Sequence, residues 1–512
     1  MNICLATVHC KPRFIPLALL YLKAHLVQHD GYPADAIDIA EFRPDATEDA
    51  IVERILSTEP DVIGLSCYVW NVRTLMAVAR VIKQRRPGIR IVIGGPEVGP
   101  VAEAVLTAHP CIDVIVKSEG EIPFASLISR GCFRLRQDVG GHAASPGLLS
   151  DVPGICFRDG ASIVDTGEAP AVKDLNTLAS PHLTPYMDYT GRIVCIETQR
   201  GCVFRCNFCF YNKDYSIRNR RFDLDRVEEE LLVWLDRDIH EIYLMDPVFN
   251  LNAERAKSIC RFIAEHNPRR IPIHAEVWAE FIDEELAQLM ADANFQFLEV
   301  GLQTTDADVL ATVERRLKLQ KFLDGVGYLK QYALPYELQL IYGLPGETVR
   351  TFRRSLDFAA SLDPPELAVF PLMVLPGTEL WRKADGFGLQ FEPDPPYYVQ
   401  SHFSMSADDI RYGWKVHRAL DEIADAKTFR VLSREPGLSF SAVIDAWIDW
   451  EGSAAEGSAA EGGALDTRVR EFLALFCDRH DIPQDFYQGM ASVEFTPSAA
   501  STAPAPTTPP PG

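Results

Sequence analysis

The sequence lacks any uninterrupted apolar run of about 18 residues or more, the length that a membrane-spanning helix needs. Its first residues, MNICLATVHCKPRF, have no cationic leader before their apolar stretch and no small-residue cleavage site after it. These absences predict neither a membrane span nor a secretory signal. We therefore expect a cytoplasmic protein without a membrane partner.

Basic residues are in the minority, with 50 Lys and Arg against 72 Asp and Glu, a net charge of −22 and a pI near 5.0. A surface of this charge repels phosphate backbones, which predicts that nucleic acid is not a partner. Residues 217–221 are a cationic exception. Their pattern is typical of a solvated loop and equally of an anion-binding site, and both interpretations stay open here.

The chain also lacks the cysteine pattern of a disulfide framework. Most of its twelve cysteines are isolated, and in a large chain without a secretory signal we expect reduced thiols or metal ligands. One group stands apart, because Cys202, Cys206 and Cys209 fall within a single short stretch.

Residues 1–135 are expected to form one α/β domain. Asp61–Leu65, Ile89–Ile93 and Asp113–Val116 are nearly unbroken apolar strands, and the amphipathic pattern of Val72–Arg85 predicts a helix between two of them. Strands of this kind are buried on both faces. The pattern therefore predicts a Rossmann-like, doubly wound parallel sheet.

Ligands of such a sheet bind at the carboxyl ends of its strands. The candidate cofactor contacts at these ends are Ser66, Tyr68, Trp70, Gly94, Gly95, Pro96, Glu97, Glu119, Gly120 and Glu121. Glycines at 94 and 95 would allow the backbone to approach a flat, bulky ligand closely.

Residues 136–190 lack sustained periodicity and are interpreted as a surface connector with one hairpin around Asp159-Gly160. From 191 to 385 apolar strands alternate with helical patterns. The predicted strands are Arg192–Glu197, His240–Met245, Ile271–Glu276, Phe295–Val300, Tyr336–Ile341 and Glu366–Phe370. Such βα units predict a partial (β/α)6 TIM-like barrel, shorter than the closed form.

Residues 386–495 are predicted to be a helical C-terminal region. Ser406 can cap a helix that has Asp409 at its third position, and later helices are expected at Ser441–Trp450 and Thr467–His480. Residues 451–463, EGSAAEGSAAEGG, and the Ala/Pro/Thr-rich tail at 496–512 have no means of forming a core. We expect the insert to be flexible and the tail to be disordered.

The cysteine triad lies in the sequence GCVFRCNFCF, directly after the first predicted barrel strand. One loop with this spacing can hold three irons of a cubane and leave the fourth iron without a cysteine. An open coordination position is where a substrate binds. Zinc would need a further ligand, for which His182 and Cys195 are poorly spaced, and a disulfide needs an even number of cysteines. The spacing favours a catalytic 4Fe-4S cluster.

A CxxxCxxC motif with an aromatic residue, Phe208, before its last cysteine resembles the radical S-adenosylmethionine (SAM) superfamily, as does the six-unit partial barrel that it opens. In that superfamily the open iron chelates the amino and carboxylate groups of SAM. An electron from the cluster then cleaves SAM to methionine and a deoxyadenosyl radical. The resemblance covers residues 190–385 and implies an external electron donor of the flavodoxin or ferredoxin type.

The same resemblance implies which residues contact SAM. Asp246 and Pro247 follow the second barrel strand, where the family places the loop that meets the methionine amino group. Glu276, Glu299 and Gln303 end the third and fourth strands, from which similar enzymes reach the ribose and carboxylate of SAM. Taken alone, either glutamate is also typical of a solvated or salt-bridged carboxylate.

The N-terminal domain is similar to the cobalamin-binding domain fused to one large radical SAM subgroup, because Gly94-Gly95-Pro96-Glu97 and Ser118-Glu119-Gly120-Glu121 follow its strands. The Asp-x-His-x-x-Gly motif of many cobalamin proteins is absent from residues 1–130, as is common in that subgroup. Cobalt without a histidine below it favours a nucleophilic state and methyl transfer. The Tyr68 to Trp70 loop either supplies a bulky lower neighbour or is buried against the connector.

The resemblance implies a cobalamin-dependent radical SAM enzyme that methylates an unactivated carbon of a small-molecule or peptide-derived substrate. Three alternatives stand beside this function. A cyclisation or rearrangement without methyl transfer shares all the motifs. A methylthiotransferase acting on RNA would need a second cysteine triad, which Cys4, Cys10, Cys67 and Cys111 do not form. A non-enzymatic corrinoid-binding protein would have no need of the intact triad.

Overall fold

The first domain consists of a mixed sheet flanked by helices, seen in a computed structural model. The structure describes residues 1–133, 146–212, 219–423, 427–433, 435, 437–456, 465–480 and 482. The strands are β1 (Ile3–Val8), β2 (Ile37–Phe42), β3 (Val62–Ser66), β4 (Arg90–Gly94), β5 (Val114–Val116), β6 (Ile155–Asp159) and β7 (Ser162–Asp165). The helices are α1 (Leu17–Gln28), α2 (Glu48–Leu56), α3 (Val72–Arg85), α4 (Ala102–Ala108), α5 (Glu121–Ser129) and α6 (Pro146–Ser150).

The strand order of this sheet is β2-β1-β3-β4-β5-β6-β7, and the first five strands are parallel. Every residue of β1 and β3 is buried, because hydrophobic clusters form on both faces of the sheet. The predicted Rossmann-like sheet is confirmed. The hairpin expected around Asp159-Gly160 is present, but β6 and β7 add antiparallel to the sheet edge instead of lying in a surface connector.

The second domain has six parallel strands in the order β8-β11-β12-β13-β14-β15, and the predicted partial barrel is confirmed. Its strands, with a short separate ladder of β9 and β10, are β8 (Ile193–Ile196), β9 (Gln199–Arg200), β10 (Arg220–Arg221), β11 (Glu241–Leu244), β12 (Ile273–Val277), β13 (Phe295–Gln303), β14 (Tyr336–Tyr342) and β15 (Glu366–Pro371). Its helices are α7 (Leu224–Leu235), α8 (Ala253–His266), α9 (Glu284–Asp292), α10 (Ala307–Thr312), α11 (Leu319–Gln331) and α12 (Val349–Ser361).

The C-terminal region packs helices against the end of the barrel. Its elements are α13 (Glu379–Arg382), β16 (Gln390–Phe391), β17 (Val399–Ser401), α14 (Ala407–Glu422), α15 (Lys427–Leu432), α16 (Phe440–Glu456) and α17 (Leu465–Arg479). Ser406 and Asp409 form the expected capping box of α14, and His417 of that helix lies 2.8 Å from the carbonyl oxygen of Val369 in β15. Fully buried Trp447 joins this region to the barrel core.

The insert expected to be flexible begins inside a helix. Residues 451–456 continue α16, because alanine and glutamate are good helix formers. The rest of the insert, 457–463, and the tail at 496–512 lie outside the described residues. Within the described ranges, no helix has both the length and the apolarity of a membrane span.

The two sheets are joined by main-chain hydrogen bonds. The Ile193 amide at the start of β8 donates to the carbonyl of Arg13 at 2.8 Å, and the Ile15 amide donates to the carbonyl of Ile193 at 3.2 Å. Leu20 and Tyr21 of α1 belong to the barrel core. The chain that leaves the carboxyl end of β1 is therefore part of the barrel edge.

Carboxyl groups form a row across the inner face of the barrel. Glu276, Glu299, Glu337 and Glu366 occupy the same register on β12, β13, β14 and β15. The amide nitrogen of Gln339 bridges two of them, donating to Glu299 at 3.1 Å and to Glu337 at 2.8 Å. Because like charges at this spacing repel, the row needs donors and cations around it.

His274 of β12 supplies one such cation. Its Nε2 lies 2.9 Å from the Glu299 carboxylate and its Nδ1 lies 3.3 Å from that of Glu241. Burial alone would lower the pKa of His274, but these two hydrogen bonds outweigh burial and raise the pKa to about 9. The imidazolium in turn keeps the pKa of Glu299 below its usual value despite burial.

We predict that His274→Gln destabilises the protein in a pH-dependent way. A pKa raised from 6.5 to about 9 means that the stabilisation is complete below about pH 6 and disappears as the pH rises through 9. The free energy of unfolding should fall by about 2 to 3 kcal/mol at low pH and by less than about 1 kcal/mol at high pH. Urea unfolding across this range measures the difference. His29→Gln, at an exposed pair with Asp30, should cost less than about 1 kcal/mol; an equal, pH-independent loss in both variants would contradict the assignment.

A pair of helical glycines gives a test of the packing. A Cβ at Gly413 of α14 would overlap the ring of Tyr342, whereas nothing lies within 4 Å of a Cβ at Gly327 of α11. Gly413→Ala should lower the free energy of unfolding by about 1 to 3 kcal/mol through overpacking. Gly327→Ala should raise it by about 0.5 to 1 kcal/mol. Denaturant unfolding of both variants and of the wild type measures the sign of each change in the free energy of unfolding. Changes of the same sign in both variants would contradict the packing described.

Candidate functional site

A cavity of about 590 Å³ lies where the first sheet meets the barrel. All the residues expected at the strand ends of the first domain line it, namely Ser66, Tyr68, Trp70, Gly94, Gly95, Pro96, Glu97, Glu119, Gly120 and Glu121. Gly201, Phe210, Tyr211 and Pro247 line it from the barrel side. One space is therefore bordered both by the ligand-binding edge of the sheet and by the stretch that carries the cysteine triad.

Two stacked aromatic rings border this cavity. The rings of Tyr68 and Trp70 lie 4.5 Å apart with an angle of 4° between their planes. The indole nitrogen of Trp70 donates to the carbonyl of Val8 at 3.0 Å, and the Asn71 side chain accepts from the Tyr68 amide at 2.8 Å. These bonds hold the loop in place, and 41% of Trp70 remains exposed. The rings form a rigid, flat surface beside the cavity.

The wall of the cavity contains polar atoms without protein partners. Among the described residues, the hydroxyl groups of Tyr21 and Ser118 are buried and make no hydrogen bond. Both residues line the cavity. A buried polar group without a partner costs about 1 to 3 kcal/mol, so these atoms fit a ligand that has amide or hydroxyl groups at its edge. A corrin ring with its amide side chains is such a ligand.

The two glycines of the Gly94–Glu97 loop are favoured at their positions for different structural reasons. Gly95 has a φ of +118°, and a Cβ there would overlap the carbonyl oxygen of Cys67, so the turn itself requires glycine. Gly94 lines the cavity, and a Cβ there would make only ordinary contacts with Val116.

Glu97 of the same loop accepts a hydrogen bond from the hydroxyl of Tyr397, and both are buried. The Glu97 carboxylate thus holds the C-terminal region against this loop.

The cysteine triad lies on a tight loop after β9. Cys206 is buried, Cys202 and Cys209 are half-buried, and the Cys209 amide donates to the carbonyl of Cys206 at 3.0 Å. Phe208 packs against the barrel core. Within the described ranges no three Cys, His, Asp or Glu residues converge on a single metal ion. The fit of the triad to a cluster with several irons therefore rests on the spacing of its three thiols within one loop.

Arg315 lies beside the triad and was missed by sequence reasoning. Its guanidinium lies 3.7 Å from the sulfur of Cys206, donates to the Gly301 carbonyl at 2.6 Å and lies 4.2 Å from the ring centroid of Trp278. Phe204, in the cysteine loop, stacks on Trp278 at 3.9 Å. Arg315 follows α10 in a charged run, so no local signal separates it from surface arginines.

Asp246, at the end of the second barrel strand, is fully buried. It accepts hydrogen bonds from the Thr198 amide at 2.7 Å, the Thr198 hydroxyl at 2.5 Å and the Gln199 amide at 3.0 Å. Burial raises the pKa of Asp246 to about 7 against these three donors. Its side chain therefore fixes the chain just before the cysteine loop, and Pro247 beside it lines the cavity.

The other predicted SAM contacts differ in what surrounds them. Glu276 accepts from the hydroxyl of Tyr243 at 3.2 Å, and burial raises its pKa well above the usual range. Glu299 is engaged by His274, as described above. Gln303 has a φ of +68° beside a register shift in β13, and its side-chain oxygen is buried without a partner among the described residues. Gln303 and Glu276 are thus the members of this set that fit a bound ligand.

The chain is similar to two known domain families and to several characterised proteins. The family description "B12 binding domain" matches residues 3–128, and "Radical SAM superfamily" matches residues 196–359. The 2-(S-pantetheinyl)-carbapenam-3-carboxylate methyltransferase of Streptantibioticus cattleyicolor is 28% identical over 75% of this chain and 57% of its own length. The cobalamin-dependent radical SAM methyltransferase TokK of Streptomyces tokunonensis is 30% identical over 66% of this chain and 51% of its own length.

Solved structures share the fold. The radical SAM methyltransferase TsrM of Kitasatospora setae, with cobalamin and a [4Fe-4S] cluster bound, has a TM-score of 0.61 at 19% identity over 80% of this chain and 84% of its own. OxsB, with aqua-cobalamin and SAM bound, has a TM-score of 0.65 at 14% identity over 94% of this chain and 76% of its own. The chain spans about half the length of the two curated relatives named above. With a B12-binding domain ahead of a radical SAM domain, it belongs to the cobalamin-dependent radical SAM enzymes.

Proposed function

We propose that this protein methylates an unactivated carbon of a small-molecule or peptide-derived substrate, using cobalamin, a 4Fe-4S cluster and SAM. The observation that carries the proposal is the shared cavity, which is bordered both by the strand ends of the B12-binding domain and by the stretch around the cysteine triad. A methyl carrier and a radical source have to reach the same substrate carbon. A single space between the two domains would let both act on that carbon.

We assign Cys202, Cys206 and Cys209 as the cluster ligands, with the aromatic Phe208 between the last two. When bound, the corrin supplies a carrier for a methyl group, and the cluster with SAM supplies a deoxyadenosyl radical. The protein's own part is positional. Asp246 fixes the strand that leads into the cysteine loop, and Arg315 places a positive charge beside Cys206.

Glu276 and Gln303 are proposed as SAM contacts because each lies at a strand end and Gln303 has an unpartnered oxygen. Pro247 is proposed beside them because it lines the cavity. Glu299 is proposed to act mainly through His274, whose charge holds it in place. A flavodoxin- or ferredoxin-type protein is the proposed electron donor.

Anaerobically reconstituted protein tests the enzyme assignment. With a reductant, the wild type should release deoxyadenosine from SAM, and Cys206→Ala should abolish that release by removing a cluster ligand. Cys111→Ala removes a half-buried thiol outside the triad and should leave it unchanged. SAM cleavage that survives Cys206→Ala would refute the assignment. If SAM is cleaved but leaves the absorption spectrum of the bound corrin unchanged, a cyclisation or rearrangement replaces methyl transfer.

We also predict that Trp70→Ala weakens cobalamin binding. Loss of a stacked aromatic surface of this kind costs about 1 kcal/mol, a several-fold increase in the dissociation constant. Titration of the apoprotein with hydroxocobalamin, followed by absorption, measures the change. Phe403→Ala removes another exposed aromatic ring, which does not line the cavity, and should have no effect. Equal affinities for wild type and Trp70→Ala would remove the proposed role of the stacked rings.

A further inference from the structure

The two ends of the cysteine-bearing segment meet at one point. β9 and β10 pair antiparallel, with Arg200 opposite Arg220. Arg200 lies directly before Gly201 and Cys202, and the chain returns at Arg220. Whatever holds this pair of strands therefore holds the base of the loop that carries all three cysteines.

Arg220 binds the first domain through a bidentate ion pair with Glu119. Its Nη1 and Nη2 donate to the two carboxylate oxygens of Glu119 at 2.9 and 2.8 Å. Nη1 also donates to the Val172 carbonyl at 2.7 Å, and the Val172 amide donates to Glu119 at 3.3 Å. Side-by-side bonds between arginine and carboxylate fix orientation as well as distance. Arg220 is thus not a solvated cation, and its guanidinium is occupied by a carboxylate of the protein itself. Ile217 and Arg218 of the same cationic stretch lie outside the described residues.

Arg200 binds the same loop of the first domain. Its Nη2 donates to Glu121 at 2.7 Å and to Glu197 at 2.8 Å, and its Nη1 donates to Glu119 at 3.3 Å. Its guanidinium lies 4.8 Å from the ring centroid of Tyr21 in α1. The side chains of Arg200 and Arg220 are only 11% and 10% exposed, so water screens these ion pairs weakly.

The acidic partners belong to the wall of the cofactor cavity. Ser118, Glu119, Gly120 and Glu121 all line it, and the Ser118 hydroxyl is one of the unpartnered groups that point to a ligand. One side of this loop therefore meets the cavity, while its carboxylates hold the base of the cysteine segment. We call Arg200, Arg220, Glu119 and Glu121 the arginine-glutamate clamp.

We propose that the arginine-glutamate clamp couples the two cofactor sites, so that cobalamin bound in the cavity stabilises the cysteine-bearing segment and the cluster strengthens cobalamin binding. The inference rests on the proposed function, since it needs both cofactors in one chain. A ligand that orders residues 118–121 orders their partners Arg200 and Arg220 as well. The coupling is reciprocal. Binding of either ligand orders the clamp residues, so the second ligand loses less conformational entropy when it binds.

Amide hydrogen exchange of the full-length protein tests the coupling. In the wild type, hydroxocobalamin should slow exchange within residues 199–212 by roughly 5- to 150-fold, the usual range for coupled sites. Glu119→Gln removes the charge that both arginines share and should reduce this effect to less than about twofold. Arg220→Lys keeps the charge but loses the bidentate geometry, and cobalamin should then slow exchange to an intermediate extent.

Glu53→Gln is the matched control. It makes the same chemical change at an exposed ion pair with Arg85 in the same domain, away from the cavity and the clamp, and should preserve the wild-type response. A second measurement reads the reciprocal effect. Cobalamin affinity should be higher in cluster-loaded than in iron-depleted wild type by a similar factor, and this difference should disappear in Glu119→Gln. The second measurement keeps the test valid if one variant exchanges faster overall.

The outcomes separate the two proposals. If the wild type binds no cobalamin, the proposed function itself fails. If the wild type binds cobalamin but exchange within 199–212 does not change, the coupling fails and the proposed function stands. An undiminished response in Glu119→Gln would show that coupling takes another route and would overturn the role of the clamp.

Discussion

The architecture depends on a few main-chain hydrogen bonds between the end of β1 and the start of β8. Through Arg13, Ile15 and Ile193, the chain that leaves the first sheet becomes part of the barrel edge. Parallel sheets bind ligands at the carboxyl ends of their strands. Because the two sheets are joined at this point, the loops that follow β3, β4 and β5 face the beginning of the barrel, and one cavity serves both domains.

Much of this arrangement follows from local sequence. The barrel strands are short apolar runs that could be recognised individually, and α3 has the bounds that its amphipathic pattern predicts. The cysteine triad is informative because its spacing within one loop is enough to predict an iron-sulfur cluster with one iron free of cysteine. Likewise, Ser406 and Asp409 form their capping box from residues three apart. In each case the interaction that matters joins near neighbours in the chain.

What could not be predicted depends on partners far apart in the chain. Arg315 lies beside Cys206 from a position 109 residues later, and nothing in its own surroundings marks it. Asp246 is predicted to contact a ligand, and its carboxylate also accepts hydrogen bonds from Thr198 and Gln199, which lie 48 and 47 residues earlier in the chain. The edge hairpin of β6 and β7 looked like a connector, because strands with a polar face at a sheet edge carry a weak apolar signal.

The bond between Tyr397 and Glu97 has a consequence for biosynthesis. These residues are 300 positions apart, and Glu97 belongs to a loop that lines the cofactor cavity. At about 5 to 20 residues per second, Tyr397 leaves the ribosome roughly 15 to 60 s after the sheet that it secures. During translation the nascent first domain therefore waits with an unfinished cavity, and its cofactor is best captured after Tyr397 has been made.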